Sequence, residues 1–435
     1  MRRVRYFLLL VLLAGFFVAL GFALAGILFR QPLPALPAWT RGAGAFFFGF
    51  LCVLILRHFI LMWFAYLDGI EGGAEPECQA LPPVSILVPA FNESVTIQAS
   101  IRSLLELDYP SFEILVIDDG STDDTFLRAS AMEGRYSGTR VRVLHKANGG
   151  KASALNLGIS AAHEDLILCV DGDSRIEPGG LRAAVRHFGD PKVGAVAGNV
   201  KVANRRNLLT RLQALEYVEG LNMSRRAQAF FRSVAIIPGP FGMFRRRVLR
   251  EAGGYSEDTY AEDADLTLKI LERGWRVRYE PNAIAFTEAP EGMRDLFQQR
   301  YRWSRGLLQA VKKRVRPAIR CDNALLSLSI LHLLFEGLLW PLVNLMAQVW
   351  LLYMASAYQS GGLLLLWWLQ LTVLDLVAGL FCVVAEEEDL RLVPYAIPYR
   401  LFFTLCLDVC RVGALVEETL SVEMGWGKLE RRGRI

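Results

Sequence analysis

Hydrophobic and polar positions divide the chain into membrane-length apolar runs at both ends and a middle whose apolar stretches are short. One run covers residues 7–29, directly after Arg2, Arg3 and Arg5, and a second covers 43–67. Each is long enough to cross about 30 Å of hydrocarbon. The first is long for a signal-peptide core and a second span follows it, so both are read as anchors. The leading arginines place Met1 on the cytoplasmic side, and two crossings return the chain to that side before Asp68.

The middle begins after a Gly-, Pro- and Glu-rich linker at 69–83. Residues 84–89 are continuously apolar, as in strands buried on both faces, and 114–117, 141–144 and 166–170 repeat the pattern. Helical periodicity lies between them, for example Ile97, Ile101, Leu104 and Leu105. Strands alternating with helices imply a parallel, doubly wound sheet, which binds ligands at the carboxyl ends of its strands. That edge is acidic here, because Asp118 and Asp119 close the second strand and Asp171 and Asp173 the fourth. Two carboxylates one residue apart suit a hard divalent cation shared with substrate phosphates, and Gly172 lets the backbone turn between them. Asp and Gly are also ordinary turn residues after strands.

Downstream, 198–229 carries Lys201, Arg205, Arg206, Arg211, Arg225 and Arg226 beside helical apolar positions. It reads either as a helix covering the sheet with a solvated basic face or as a phosphate or lipid contact. Residues 238–244 read as a loop of small and aromatic residues, including Phe241 and Gly242, suited to a sugar-binding wall. Glu262 and Asp263 open a helix, where the dipole favours acids and where a base for an acceptor hydroxyl would also fit. Gln299, Arg300, Tyr301, Arg302 and Trp303 then stand just before a basic run. Arginine pairs with phosphate oxygens and indole stacks on sugar rings; the same residues also suit a juxtamembrane helix whose Arg and Trp snorkel to the headgroups.

Apolar runs at about 325–358, 363–385 and 392–420 close the chain. The first is too long for one simple crossing and holds Pro341, so it reads as an interfacial helix plus a span or as two short spans. Three crossings would put the C-terminus outside, whereas Lys428, Arg431, Arg432 and Arg434 argue for inside. Arg302, Arg305, Lys312, Lys313, Arg314, Arg316 and Arg320 form a basic border suited to anionic headgroups, and Glu386 to Asp389 form a short acidic loop. Glu336, Asp375, Asp408 and Arg411 lie inside apolar runs, where ionisable groups face a partner or a water-filled path. Asp408 and Arg411 are also spaced for a local ion pair.

Composition narrows the class. A chain of 435 residues that is 53% hydrophobic is too apolar for an ordinary soluble protein. Its seven cysteines are odd in number and lack CxxC spacing, indicating neither a disulfide framework nor a zinc site. The net charge of +4 is modest and clustered beside membrane segments, so nucleic acid is not needed to explain it.

Together these residues resemble the processive membrane-integrated family-2 glycosyltransferases, which include synthases of cellulose, chitin, hyaluronan and poly-N-acetylglucosamine. The matching stretches are SILVPAFNE at 85–93, VIDDGSTD at 116–123, NGGKASALN at 148–156, Asp171-Gly172-Asp173, Glu262-Asp263 and QRYRW at 299–303. The resemblance implies an α/β GT-A fold, Rossmann-like with a mostly parallel sheet, as a cytosolic domain inserted between N-terminal and C-terminal transmembrane helices. Its parts would be transmembrane helices within 1–30 and 43–67, a linker at 68–83, the catalytic domain at 84–290, interfacial helices at 291–320, a membrane region at 321–420 and a basic tail at 421–435. It further implies that Pro89, Asn92, Glu93, Asp118, Asp119, Lys151, Asp171, Gln299 and Arg302 bind the donor nucleotide and that Asp171 and Asp173 hold Mg²⁺ or Mn²⁺. Asp263, with Glu262 beside it, would be the general base, and Trp303, Phe241 and Gly242 would meet the acceptor. Ala261 stands where many members carry Thr.

The implied reaction is an inverting, processive transfer from a UDP-sugar, most simply UDP-GlcNAc, to a growing β-linked polysaccharide passed through a bacterial plasma membrane. Membrane lipids and a small accessory membrane subunit are the further implied partners. Two leading spans, a short apolar C-terminal part and the tail residues Trp426, Lys428, Leu429 and Arg431 resemble the bacterial poly-β-1,6-N-acetylglucosamine synthases most. Hyaluronan, chitin or glucan synthesis, single transfer to a lipid, and a non-enzymatic scaffold are the alternatives, the last disfavoured by the intact carboxylates.

Overall fold

A computed structural model describes residues 12–22, 26, 37–71, 81–321 and 323–422. The leading arginines, most of the linker and the basic tail lie outside the described residues.

Two apolar helices lead in, α1 (Leu12–Phe22) and α2 (Ala38–Glu71). The catalytic half then runs β1 (Val84–Ala90), α3 (Ile97–Leu105), β2 (Phe112–Asp118), α4 (Thr125–Ser130), β3 (Gly134–Tyr136), β4 (Thr139–His145), α5 (Lys151–Ala161) and β5 (Leu166–Cys169). It continues through β6 (Ser174–Ile176), α6 (Gly180–Val185), β7 (Val193–Val202), α7 (Leu208–Glu216), a π-helical turn at Tyr217–Asn222, α8 (Met223–Phe230), β8 (Gly242–Arg245), α9 (Arg246–Glu251), α10 (Glu262–Glu272) and β9 (Arg276–Thr287). These strands form one sheet in the order β3-β4-β2-β1-β5-β8-β7-β9-β6.

The sheet is parallel across β4, β2, β1 and β5. It turns mixed at β8, which runs antiparallel to both β5 and β7. Every position of β1 and β2 is buried, which is why both read as unbroken apolar runs. One correction concerns 238–244: only its first residues are loop, since Gly242, Met243 and Phe244 pair with β5 and β7 as β8.

Past the sheet come α11 (Met293–Ile319), α12 (Ala324–Leu334), α13 (Trp340–Tyr358) and α14 (Gly361–Ala385). The last part holds α15 (Ala396–Pro398) among irregular helical turns and α16 (Thr404–Thr419). Among the described residues, three helices are long and apolar enough to cross a membrane: 38–70, the continuous 324–358, and Gly361–Ala385. Pro341 does not break the second of these. A π-helical turn at Phe335–Leu339 precedes it and absorbs the missing N–H and the bulk of the ring. The 35-residue rod is about 52 Å long at 1.5 Å per residue, more than a bilayer needs. Its first part is used elsewhere, because Leu326, Ile330 and Leu333 of α12 are buried in the core beneath the sheet.

The third C-terminal run is not a crossing. Glu386, just beyond α14, accepts hydrogen bonds from Asn199 (2.8 Å), Tyr279 (3.1 Å) and Arg226 (3.1 Å). Glu388 takes both nitrogens of the Arg205 fork at 2.6 and 2.8 Å and lies 3.4 Å from Lys201. The acidic loop is therefore seated on the sheet, so α14 ends on the catalytic side. The following segment starts where Tyr395 meets Arg211 and ends where Glu418 pairs with Arg305 of α11 at 2.9 Å. Both ends lie against elements of the sheet-bearing half, so this run does not extend away from it as a third span would.

These contacts also revise the basic residues. Lys201, Arg205 and Arg226 serve the acidic loop rather than phosphate or lipid. In the border, Arg305 and Arg314 are buried against Glu418 and Asp265, and Lys313 pairs with Asp258, so these three are committed to protein partners rather than to headgroups. Inside the apolar runs Glu336 pairs with Arg57, Asp375 with Arg400, and Asp408 with Arg411 at 3.3 Å as well as Asn344 at 2.7 Å.

In a background without native cysteines, Gln359→Cys and Ser421→Cys are expected to react with an impermeant maleimide from opposite faces of the membrane. Labelling of both from one face would overturn the two-crossing arrangement.

Candidate active site

One edge of the site is made by three parallel strand ends tied together. After β1, Asn92 adopts a left-handed backbone (φ 53°), accepts from Thr122 N–H at 2.7 Å and donates its own N–H to Ser121 at 2.9 Å. At the end of β2, Asp119 accepts from Gly149 N–H (3.1 Å), Gly150 N–H (2.7 Å) and Lys146 Nζ (2.6 Å). Its neighbour Asp118 meets His145 Nδ1 at 2.7 Å. Gly120 has φ 71°, and a Cβ there would lie 2.6 Å from Asn148 N, so the turn closes only with glycine. Asp118 and Asp119 are thus buried braces that fix the rim. The Glu93 carboxylate accepts from the Thr96 hydroxyl at 3.0 Å, just ahead of α3. His145 and Lys146 complete this rim, and no local pattern marks them because their partners, Asp118 and Asp119, stand at the end of another strand.

Reactive groups gather around Lys151 at the start of α5. Its Nζ lies 2.6 Å from Asp171 and 3.3 Å from Glu262. Burial alone would lower its pKa, but Asp171 and Glu262 outweigh burial and raise it, so the amine stays charged. Asp263 opens α10, with one oxygen 2.7 Å from Ala264 N. Burial, and then the adjacent Glu262 carboxylate, push its pKa up to about 6 against the pull of Lys151. Asp263 is therefore poised near neutrality, as a proton acceptor requires. Gly239 packs over this cluster: a Cβ there would lie 2.6 Å from Lys151 Nζ and 2.8 Å from Asp171 Oδ2. A side chain at Gly239 would have to push these two groups aside, a close approach that its place in the small-residue loop did not by itself reveal.

Helix α11 presents the 299–303 stretch to the same space. Arg300 is its buried anchor, paired with Glu216 at 2.7 Å and hydrogen-bonded to Gln299 at 3.1 Å. Its guanidinium lies 4.1 Å from the Trp303 ring centroid, fixing the indole by a cation–π contact. Farther along, Gly306 meets α10 backbone to backbone, since a Cβ there would be 2.4 Å from Ala261 N. The helix carrying Trp303 is thereby set directly against the helix start that carries Asp263. With Ala261 in place of Thr, the hydroxyl at this contact comes from Thr259, whose Oγ1 accepts from Ala261 N–H at 3.3 Å.

Lys151, Asp171, Glu262, Asp263, Gln299, Arg302 and Trp303 line one cavity of about 430 Å³. Trp340, Asp375 and Tyr399 of the apolar part line it too. Pro89 faces a small crevice beside Lys151 and Asp171. Phe241 does not serve as an acceptor wall: it is fully buried, packed so tightly on Gly198 that a Cβ there would be 2.5 Å from its ring. Gly242 lies in β8 behind the crevice, and Pro238, Gly239 and Pro240 are the loop residues that face the cavity. Asp171 opens on the cavity with 27% of its side chain exposed, and Asp173 is buried next to it. Two hard carboxylates with one facing the cavity fit a divalent cation that completes its shell with substrate oxygens.

This sheet, with an acidic strand end facing helix-borne carboxylates across one cavity, has the arrangement of a glycosyltransferase of the GT-A class. The chain belongs to the family described as glycosyltransferase like family 2, which matches residues 82–306. It is similar to the poly-beta-1,6-N-acetyl-D-glucosamine synthase of Staphylococcus epidermidis, with 31% identity over 261 residues, 60% of this chain and 62% of that protein. The enzyme of the same name from Staphylococcus aureus is 33% identical over 227 residues, 52% of this chain and 55% of that one. These matches span less than two thirds of either relative. In fold the chain resembles a mannosyltransferase from Pyrobaculum calidifontis solved with GDP-Man and Mn²⁺, with TM-score 0.61 and 22% identity over 85% of this chain and 98% of that one.

Gly306→Ala is expected to lower stability by about 1–3 kcal/mol through overpacking and to slow sugar transfer, read from thermal unfolding and turnover of the purified protein. A variant that melts and turns over like the parent would mean that the contact between α10 and α11 is slack.

Proposed function

We propose that the protein is an inverting, processive synthase that transfers N-acetylglucosamine from UDP-GlcNAc to a growing β-linked polysaccharide on the cytoplasmic side of a bacterial plasma membrane. The observation that carries this reading is the single cavity running from Lys151, Asp171 and Asp263, past Trp303, to Trp340, Asp375 and Tyr399 between the apolar helices. The names of the staphylococcal relatives support the choice of sugar.

The donor would sit with its base at the rim braced by Asp118 and Asp119 and its diphosphate between Lys151, Gln299 and Arg302. Asp171 and Asp173 would hold Mg²⁺ or Mn²⁺, which when bound adds positive charge beside the leaving diphosphate. The terminal sugar of the acceptor would lie on the Trp303 indole, held flat by Arg300 from behind. As the acceptor oxygen bonds to the anomeric carbon, the bond to the diphosphate breaks and UDP leaves with the electron pair. Asp263 takes the hydroxyl proton, and Glu262 serves it by holding Lys151 in place. Attack from the face opposite the diphosphate inverts the anomeric centre without a covalent enzyme intermediate.

Asp263→Asn should bind UDP almost as the parent does while losing at least about 100-fold in polymer synthesis, the size of a general-base effect. In the parent, Asp263 works only when ionised, so the rate is expected to hold above its pKa of about 6 and to decline as pH falls through that value. Near-normal turnover of the Asn variant, or no acid limb, would remove Asp263 from the role.

Trp303→Ala is predicted to release UDP yet fail to extend chains, as read from product length with radiolabelled donor. Normal elongation would place the platform elsewhere. Supplying a panel of labelled UDP-sugars with Mg²⁺ or Mn²⁺, then digesting the product with linkage-specific hydrolases, tests the sugar and the bond. Absence of UDP release with every donor would defeat the proposal.

A further inference from the structure

We propose that His58, Glu219 and Asp375 form a second cation site, for a divalent transition-metal ion, on the membrane side of the cavity and distinct from the donor carboxylates. The three residues come from separate elements: α2, the π-helical turn between α7 and α8, and α14. One ligand atom from each lies within 4.8 Å of the other two, and all three side chains line the cavity.

The state of each group suits a ligand. Glu219 is 5% exposed, and its Oε2 has no hydrogen-bond partner. That oxygen is directed at α14, since a Cβ on Gly379, one turn beyond Asp375, would lie 3.7 Å from it. Asp375 is 1% exposed and accepts from Arg400 at 2.6 and 2.7 Å, which orients its carboxylate and leaves each oxygen a further lone pair. His58 Nδ1 is 2.9 Å from the Leu54 carbonyl. A carbonyl only accepts, so Nδ1 carries the hydrogen and Nε2 is left with its lone pair, the arrangement that orients metal-binding imidazoles.

Charge points the same way. Two buried carboxylates share the single guanidinium of Arg400, so the second must either carry a proton or meet a cation, and a bound ion would take the place of that proton. One imidazole with two carboxylates is a mixed nitrogen and oxygen set that suits Zn²⁺ or Mn²⁺ better than Mg²⁺, which prefers oxygen alone. A bound ion joins α2, the amphipathic α7–α8 layer and α14 across the route between Trp303 and the apolar helices.

The test counts metal on the full-length protein, purified in detergent with any affinity tag removed. Asp171→Asn and Asp173→Asn are introduced first, so that failure of the donor site and failure of this one are separable. After chelation, incubation with Zn²⁺ or Mn²⁺ and desalting, this parent should retain one equivalent of ion by elemental mass spectrometry. Adding Glu219→Gln or His58→Gln should weaken retention at least about tenfold and abolish the ligand-field absorption of Co²⁺ bound in place of Zn²⁺. Size-exclusion elution matching the parent keeps loss of metal distinct from loss of fold. A parent that retains no ion, or a Glu219→Gln, His58→Gln double variant that retains as much as the parent, overturns the site.

Discussion

Two buried carboxylates hold the apolar helices to the sheet. Glu386 and Glu388 leave the end of α14 and enter a nest of Asn199, Lys201, Arg205, Arg226 and Tyr279 drawn from β7, the strap after it, α8 and β9. Charges so placed tolerate little slippage, because a carboxylate moved off its partners would be buried without compensation. The position of α14 follows from this seam, and with it the wall of the cavity that α14 shares with Trp303. The return of the chain to the sheet follows as well, so the seam determines both the chain path and the cavity wall.

The path from donor rim to apolar layer is built by few elements in close contact. Lys151 gathers Asp171 and Glu262 at one point, and Gly239 covers them at a distance that admits no side chain. Arg300 binds Glu216 of α7 while presenting Trp303 from the opposite side. The Trp303 indole is thus supported by the same amphipathic layer that supplies Glu219 to the cavity wall.

What the sequence made legible was local. The runs at β1, β2 and β5 announced strands because both faces are covered, and Asp118, Asp119, Asp171 and Asp173 stood at strand ends where a parallel sheet places its ligands. Glu262, Asp263 and Trp303 were likewise readable from helix starts and from residue type in a familiar order. Hidden features depended on partners far along the chain. Nothing near Lys201 or Arg205 reveals Glu388, and nothing near 242–244 shows that β8 will insert antiparallel between β5 and β7. Phe241 had the composition of a sugar wall and the burial of a core residue, a difference made by Gly198 on another strand. The apolar run at 390–419 had the hydropathy of a span, but charged side chains at both ends bind it to the catalytic side.

The unbroken helix from 324 to 358 has a mechanical consequence. Its first turns are packed in the core under the sheet beside α10, its later turns lie among the apolar helices, and the π-helical turn before Pro341 widens the rod without hinging it. A lever of this kind converts tilt at one end into displacement at the other. A shift of its later turns among the apolar helices would therefore be carried to its first turns, which pack beside the helix that bears Asp263.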